Sequence, residues 1–393
     1  MANSAPKHAP PELIEPTPLL HKKGQLLSSK ILSSKHFIVF TGAGISTSAG
    51  IPDFRGPEGV WTLRKQGRQH EAKSKSVETM KAMPTKTHMA LVELQNQGIL
   101  KYLVSQNCDG LHRKSGILPE MISELHGNSN REYCRTCSKE YLRDFRAVAP
   151  YTKTVKDHRT GRKCTEPNCN GVLLDSIINF GEYLWEDVLE SARSHAKKAD
   201  LCLVLGSSLT VPPANEIPET VGRKKKGDLV ICNLQETPID FLCGEDMRIW
   251  GKTDELMEMV MKELGLEIPE FILKRRLVVK VEGDIEKERL SVRIGGVDVD
   301  GRTPATFLQS VKLEGNRRPA KVDPFVIGFR MDNLGEEINK LKLELEFMGH
   351  FNEPNLVVEH EVDWESEDTL GREVMYFLDY NPLTGEWKTE RGQ

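Results

Sequence analysis

Long apolar runs are missing from this sequence. No stretch approaches the roughly 18 consecutive apolar residues that a membrane helix needs, and the N-terminus lacks the basic, then apolar, then small-residue order of a signal peptide. An intracellular protein with no membrane partner is expected. Cysteine is scarce: eight in 393 residues are too few for a disulfide scaffold. Four of them are paired at short spacing, which in a reducing compartment points to metal. Cys108, Cys202, Cys232 and Cys243 call for no explanation beyond burial. No charge sign dominates. A formal net charge of −4 argues against a wholesale electrostatic grip on nucleic acid. Local patches stay open; the run Arg223-Lys224-Lys225-Lys226 suits either phosphate contact or a localisation signal, although such a run is usually a solvated loop. What is present is ordinary for a soluble globular chain, with 38% hydrophobic and 28% charged residues. The length suits two or three domains at roughly 150 residues each.

The first 20 residues carry Pro6, Pro10, Pro11, Pro16 and Pro18 with no apolar periodicity, so a flexible or extended tail is expected there. From His36 the run HFIVFTGAG reads as a short apolar strand ending in glycines. KYLVSQN, ADLCLVLGSS and DLVICN are apolar on both faces, as buried parallel strands are. Helical patterns lie between them: THMALVELQNQG, DVLESARSHAKKA and TDELMEMVMKELG. This alternation predicts an α/β fold with a Rossmann-type, doubly wound parallel sheet. Residues from about 130 to 175 break it, being polar, basic and cysteine-paired, and form a small inserted module with no core of its own. After Pro269, segments such as RLVVKVEG, RLSVRIGGVDVDG, NLVVEHEV and EVMYFLDYN alternate apolar and polar residues, which predicts a separate C-terminal antiparallel β domain over 275–393. In INKLKLELEF a helical reading competes, because Glu and Lys favour helix while the Leu341, Leu343, Leu345 alternation favours strand.

Cys134, Cys137, Cys164 and Cys169 form a C-x2-C pair and a C-x4-C pair. Four such thiolates close a tetrahedron around zinc, and a closed four-sulfur site is structural because no position is left for water. One structural Zn2+ would then replace the missing apolar core. Thr41-Gly42-Ala43-Gly44-Ile45-Ser46 follows a strand and opens a helix, an arrangement that lets backbone approach a pyrophosphate. The third glycine of G-x-G-x-x-G is absent at Thr47, and many glycine turns bind nothing. Ile51-Pro52-Asp53-Phe54-Arg55-Gly56-Pro57, followed by Gly59-Val60-Trp61-Thr62, suits a ligand lid in which aromatics cover something and Arg55 meets an anion. Packing of Phe54 and Trp61 into a core is the alternative. Ser105-Gln106-Asn107-Cys108-Asp109-Gly110-Leu111-His112 sits at the carboxyl end of a strand, where open α/β sheets place their ligand crevice. In Leu125-His126-Gly127-Asn128 the histidine is suited to accept a proton near neutral pH. His88 and His112 are read as structural.

In order along the chain, GAGIS, PDFRG, QNCDGLH, LHGN, two cysteine pairs, INFGE, LGSSL and ICNLQ resemble the sirtuin (Sir2) family from roughly Lys35 to Pro269. GVWT at Gly59–Thr62, NLQ at Asn233–Gln235 and GLEIP at Gly265–Pro269 are similar to the nuclear class IV branch that contains mammalian sirtuins six and seven. The resemblance implies a catalytic domain over 21–270 with a zinc module at about 130–175, and a cleft where NAD, as co-substrate, meets an acyl-lysine peptide. It implies NAD contacts from Ala43, Thr47, Phe54, Arg55, Trp61, Gln106, His126, Gly206, Ser208, Asn233, Gln235 and Thr253. It places Asn107 and Asp109 in the nicotinamide pocket and His126 as general base on a ribose hydroxyl. Ile178, Asn179, Phe180 and Gly181 would pair as a strand with the substrate backbone. The implied activity is NAD-dependent protein-lysine deacylation, a transferase-class reaction releasing nicotinamide and O-acyl-ADP-ribose, on histone or other nuclear proteins. Nuclear location, chromatin association and a cytoplasmic pool are all compatible with it. Protein mono-ADP-ribosyl transfer from the same pocket, or a low-turnover chromatin or ADP-ribose binding module, are the competing readings. The region after about Arg275 lies outside the resemblance.

Overall fold

A computed structural model describes residues 10–68, 78–150, 154, 156–244, 246–284, 289–331, 339–366 and 369–392. Contacts divide the chain into two compact units: residues 1–129 with 176–271, and residues 130–175 with 272–393.

The first unit is built on a six-stranded sheet of order β10-β9-β8-β1-β2-β3, with strands numbered along the chain. They are β1 (Phe37–Thr41), β2 (Leu100–Ser105), β3 (Ile122–Glu124), β8 (Leu201–Leu205), β9 (Asp228–Cys232) and β10 (Arg248–Ile249). All neighbours run parallel. Successive side chains of a strand face opposite ways, and both faces are covered. Phe37 and Val39 of β1 point into one apolar layer with Leu27 and Ile31 of helix α1 (Thr17–Ser33), Leu91 and Leu94 of α3 (Lys86–Asn96), and Leu256 and Val260 of α7 (Thr253–Glu263). Ile38 and Phe40 point into the other, with Leu189 and Ala192 of α5 (Glu186–Lys198) and Ile217 and Val221 of α6 (Glu216–Gly222). This is the expected doubly wound α/β sheet, and the run of uniformly buried residues in β1 and β8 follows from its two covered faces. Two short helices, α2 (Val60–Lys65) and α4 (Leu111–Ser115), lie in the loops above it.

One expectation differs here. The N-terminal tail is not free from Pro10 onward: Leu13 N–H donates to the Leu234 carbonyl and Glu15 N–H to that of Trp250, both at 2.8 Å. Pro16 and Pro18 then start α1, whose Leu20, Leu27 and Ile31 are buried. Prolines that read as tail punctuation are acting as a helix start; residues 1–9 lie outside the described residues. The basic run is a mostly exposed loop, as such runs usually are, but Lys224 within it has a structural duty. Lys224 Nζ donates to the carbonyls of Ala196, Lys197 and Ala199 at 2.6, 2.8 and 2.7 Å, closing the C-terminus of α5, and Arg223 pairs with Glu219.

The second unit joins the cysteine-paired module to the C-terminal strands. In the module, β4 (Arg131–Cys134), β5 (Glu140–Arg143), β6 (Arg159–Lys163) and β7 (Val172–Asp175) form a sheet of order β13-β5-β4-β7-β6, in which β13 (Ala305–Thr306) pairs parallel with β5. The remainder is a pair of antiparallel sheets. One has order β15-β12-β11-β18-β19, from β11 (Leu273–Asp284), β12 (Arg289–Val297), β15 (Phe325–Phe329), β18 (Glu373–Asn381) and β19 (Glu386–Arg391). The other has order β14-β16-β17, from β14 (Leu308–Leu313), β16 (Lys340–Phe347) and β17 (Leu356–Glu361). Leu277, Val279 and Val281 meet Leu341, Leu343 and Leu345 in one core between them. The contested segment is therefore strand: three leucines at period two all reach the core only in an extended chain, and that burial outweighs the helix preference of Glu and Lys.

A buried ionic cluster links the module to the sandwich. Arg275 on β11 is 8% exposed, and its Nη2 donates to Asp144 at 2.6 Å and to Glu353 at 3.0 Å. Glu353 also accepts from Phe351 N–H at 2.9 Å, and His350 Nε2 donates to the Asp144 carbonyl at 2.6 Å. Arg275→Met would leave two carboxylates buried without their cation. Removing one member of such a cluster costs about 3–5 kcal/mol, so the second unit is expected to melt on the order of 10 °C lower. Combining Arg275→Met with Asp144→Asn and Glu353→Gln should recover much of that loss. A single variant that melts with the wild type would show that the cluster stabilises nothing.

Candidate active site and metal centre

Where β1 and β8 end, their loops pack backbone against backbone. Gly44 N–H donates to the Gly206 carbonyl at 2.9 Å, and a Cβ on Gly44 would lie 2.7 Å from Gly206 Cα. Gly206, at φ +61°, has the reciprocal contact with Gly44. The helix expected after this turn is a seven-residue 3₁₀ segment, Ala43–Ala49. The glycines thus serve first to bring two loops together, and the amides of Gly44 and Ile45 are already used within the protein.

These loops floor a cavity of about 1050 Å³ made entirely from the first unit. Ala43 and Thr47 line it from the glycine turn, and Phe54, Arg55 and Trp61 from the proline-rich loop and α2. Gln106, Asn107 and His126 line it from the loops after β2 and β3, and Gly206 and Ser208 from the loop after β8. Asn233, Gln235 and Thr253 line it from the loops after β9 and β10, and Ile178, Asn179, Phe180 and Gly181 from the segment before α5. Asp109 is the expected site residue that does not line it. Its carboxylate instead accepts from Ser46 Oγ at 2.7 Å and Leu111 N–H at 2.9 Å, bracing the start of α4.

The polar groups in the cavity are held in defined orientations. His126 Nδ1 is 3.0 Å from the Gln106 carbonyl. A carbonyl only accepts, so Nδ1 carries the proton and Nε2 is left as the acceptor. Burial pushes the His126 pKa below its usual value and the Arg55 cation adds to this, against the Gln106 hydrogen bond. Asn107 Nδ2 donates to the Gly42 carbonyl at 3.0 Å, and Gln106 Oε1 accepts from Ser207 Oγ at 2.7 Å. Arg55 lies with its guanidinium carbon 4.6 Å from the centre of the Trp61 ring and reaches Ser208 Oγ at 3.4 Å. Phe54, Trp61 and Phe180 form a chain of rings with centroids 5.0 and 5.4 Å apart. Phe54 and Phe180 are exposed, so the core-packing alternative for Phe54 fails. Half-buried Asp53 has its carboxyl pushed up by desolvation, opposed by the Gly56 amide and Arg55.

The segment Ile178–Gly181 is not a strand. Ile178 N–H donates to the His126 carbonyl at 3.1 Å, and Asn179 N–H is taken by the Glu182 carboxylate at 2.7 Å, with a turn returning through Glu182 N–H to the Asn179 carbonyl at 3.1 Å. A local acid satisfies the amide that strand pairing would use. Cys108, expected to be merely buried, lines the cavity and donates to the His126 carbonyl at 3.2 Å. Buried Cys202 and Cys232 match that expectation. His88 and His112 are buried and pushed down to about 3, His88 by burial and His112 by burial and its neighbour His88. His88 completes a capping box with Thr85, and His112 bonds Thr41 Oγ1 at 2.9 Å, both structural duties.

In the second unit the four sulfurs of Cys134, Cys137, Cys164 and Cys169 lie within 4.8 Å of one another. The Cys134–Cys169 and Cys137–Cys164 separations are 3.5 and 3.6 Å. Bonds of about 2.3 Å to a tetrahedral zinc require sulfurs about 3.8 Å apart, so the residues fit the ion. Thr136 N–H donates to Cys134 Sγ at 3.3 Å, as suits a thiolate. Among the described residues, the apolar side chains buried with them are Tyr141 and Leu173, the small core that the polar sequence predicts.

The Sir2 family profile matches residues 42–213, from the glycine turn through the cysteine pairs to the loop after β8. The NAD-dependent protein deacetylase Sirt6 of Drosophila melanogaster is 39% identical over 268 residues, which cover 66% of this chain and 81% of that protein. The chain belongs to the Sir2 family. The NAD-dependent protein deacetylase SRT1 of Arabidopsis thaliana is 45% identical over 307 residues, 77% of this chain and 62% of that relative; the chain likewise spans 62% of rice SRT1. A solved Sir2 structure with a p53 peptide and NAD+ is 32% identical with a TM-score of 0.46, covering 61% of this chain and 98% of that one. Against the Sir2 motifs, the cavity also holds Glu12, Glu182, Ser207 and Lys252, which motif reading passed over. Glu182 stood in the INFGE motif and was legible as an acid beside the expected substrate segment. Glu12 had no local signal.

Proposed function

We propose that this chain is an NAD-dependent protein-lysine deacylase, releasing nicotinamide and O-acyl-ADP-ribose from acyl-lysine segments of nuclear proteins such as histones. The observation that carries this reading is a neutral, tautomer-fixed His126 in the same cavity as Arg55, Gln106 and Asn107. NAD supplies, when bound, an electrophilic ribose carbon and nicotinamide as leaving group. His126 Nε2 then serves as the base for a ribose hydroxyl, because Nδ1 is already committed to the Gln106 carbonyl. Asn107, with its amide nitrogen tied to Gly42, presents its oxygen from a fixed position to a carboxamide. Arg55, its pKa lowered by burial against the pull of Asp53 but still a cation, suits a phosphate. Phe54, Trp61 and Phe180 cover the bound groups and exclude water. Asp109 acts from behind, through Ser46 and the first turn of α4. For the peptide to pair with Ile178–Gly181, Glu182 has to release Asn179 N–H. The zinc holds the module and takes no part in the chemistry. The curated relatives named as NAD-dependent protein deacetylases support the reading.

The test is nicotinamide release by purified protein with acetylated and long-chain acylated histone peptides, with products identified by mass. O-acyl-ADP-ribose and free lysine are the expected products. ADP-ribose left on protein would replace deacylation with transfer, and absence of turnover with retained ligand binding would make this a binding module. Nuclear location is part of the proposal, and a tagged protein confined to the cytoplasm would overturn that part.

A further inference from the structure

In doubly wound dinucleotide-binding sheets, the second strand of the first half ends near an acidic side chain that hydrogen-bonds a ribose hydroxyl and disfavours a phosphate at that position. The sheet is two mononucleotide-binding halves; the nicotinamide pocket proposed at Asn107 lies after β2, so the adenosine falls to the other half, which runs outward through β8, β9 and β10 and has β9 as its second strand. The residues that line the cavity after β9 are Asn233, Leu234 and Gln235, two amides and an apolar side chain. Glu236, next along, is exposed and does not line it. Among the described residues, no acid of the loop after β9 lines the cavity.

The N-terminal segment brings one there. Leu13 N–H donates to the Leu234 carbonyl at 2.8 Å, and Gln235 Nε2 donates to the Pro10 carbonyl at 2.9 Å. These two bonds clamp residues 10–13 onto the loop after β9, with Glu12 between them. Glu12 lines the cavity together with Asn233, Gln235 and Lys252. Farther on, Glu15 pairs with Lys23 of α1 and holds the strap from its other end. The carboxyl of Glu12 is pushed upward by partial burial and by the negative charge of Asp53, and Lys252 opposes this. One carboxylate, one neighbouring acid and one lysine therefore share this end of the cavity.

We infer that Glu12 is the ribose-recognising acid of this protein, supplied by the N-terminal strap in place of a residue after β9, and that it sets the preference for NAD over its 2′-phosphorylated form. The inference rests on the NAD reading of the cavity. A carboxylate accepts hydrogen bonds from the two hydroxyls of an adenosine ribose and repels a phosphate on either. Without it, Lys252 faces the cavity with its positive charge unopposed by Glu12, and a 2′-phosphate becomes acceptable.

Direct titration of the full chain with NAD+ and NADP+, followed by calorimetry without peptide, tests this. The ratio of Kd for NADP+ to Kd for NAD+ is expected to fall about tenfold or more in Glu12→Gln. Glu12→Asp, which keeps the charge, should retain most of the ratio. Melting temperatures of both variants should match the wild type, because the strap is held by the backbone of Leu13 and Pro10. If the wild type binds NAD+ and Glu12→Gln discriminates as well as it does, this assignment is overturned alone. A wild type that binds neither dinucleotide overturns the NAD reading and this assignment with it.

Discussion

Replacing His126 by Ala is expected to lower the rate of deacylated peptide formation by about 10²–10⁴, the usual contribution of a positioned general base, while the chain still binds NAD and keeps its far-ultraviolet circular dichroism. The size follows from the geometry: Nδ1 is committed to the Gln106 carbonyl, so Nε2 is the ring's only acceptor, and alanine provides none. The pH profile gives a second readout. Burial, with help from Arg55, lowers the His126 pKa below its usual value of about 6.5. The base is neutral and active above its pKa and lost by protonation below it, so the acid limb of the wild-type rate should fall below pH 6.5 and the rate should be level through neutrality. Wild-type turnover by the folded alanine variant would take the base role away from His126.

Removing zinc should have the other large effect. Purified protein is expected to carry about one zinc per chain by elemental analysis, since the four sulfurs already stand close to tetrahedral edge lengths. Zinc binding in small four-ligand modules is worth about 10–16 kcal/mol of apparent folding free energy, and among the described residues the cysteine cluster is buried with just Tyr141 and Leu173 as apolar support. A strong chelator, or Cys137→Ser, should therefore strip hydrogen-exchange protection from β4, β5 and β7. Strand β1 of the other unit should keep its protection, because its neighbours are parallel strands buried on both faces. Unchanged exchange in β4 and β7 after complete loss of metal would mean that the module folds on the sandwich contacts alone. Arg275, Asp144 and Glu353 would then be its main support.

The strands of the parallel sheet, the helices at Lys86–Asn96, Glu186–Lys198 and Thr253–Glu263, and the cysteine tetrad were all legible locally. Each is encoded within a short window: apolar runs for buried strands, helical periodicity closed by Gly98 or Gly265, and ligand spacing set by two tight turns. Many of the residues lining the cavity were legible for a different reason, as motifs that follow β1, β2, β3, β8 and β9 at their carboxyl ends, where the winding of the sheet gathers them. A misreading arose where a local pattern was satisfied by a distant partner. The prolines at 10–18 read as a tail because the partners of that segment, Leu234 and Trp250, lie more than 200 residues away.

By itself the sequence determined the elements and the chemistry available: which segments extend, which coil, and which thiols share a metal. Only the tertiary structure decided which nitrogen of His126 is the acceptor, that Asp109 braces a helix instead of lining the cavity, and that Glu12 stands at the end of β9. It also decided that the cysteine module groups with the C-terminal sandwich, through β13 on β5 and the Arg275 cluster. Hydrogen-bond partners and buried ion pairs depend on which distant segments the fold brings within about 3 Å, and a contact between residues 131 positions apart, as Arg275 and Asp144 are, leaves no periodicity in either segment.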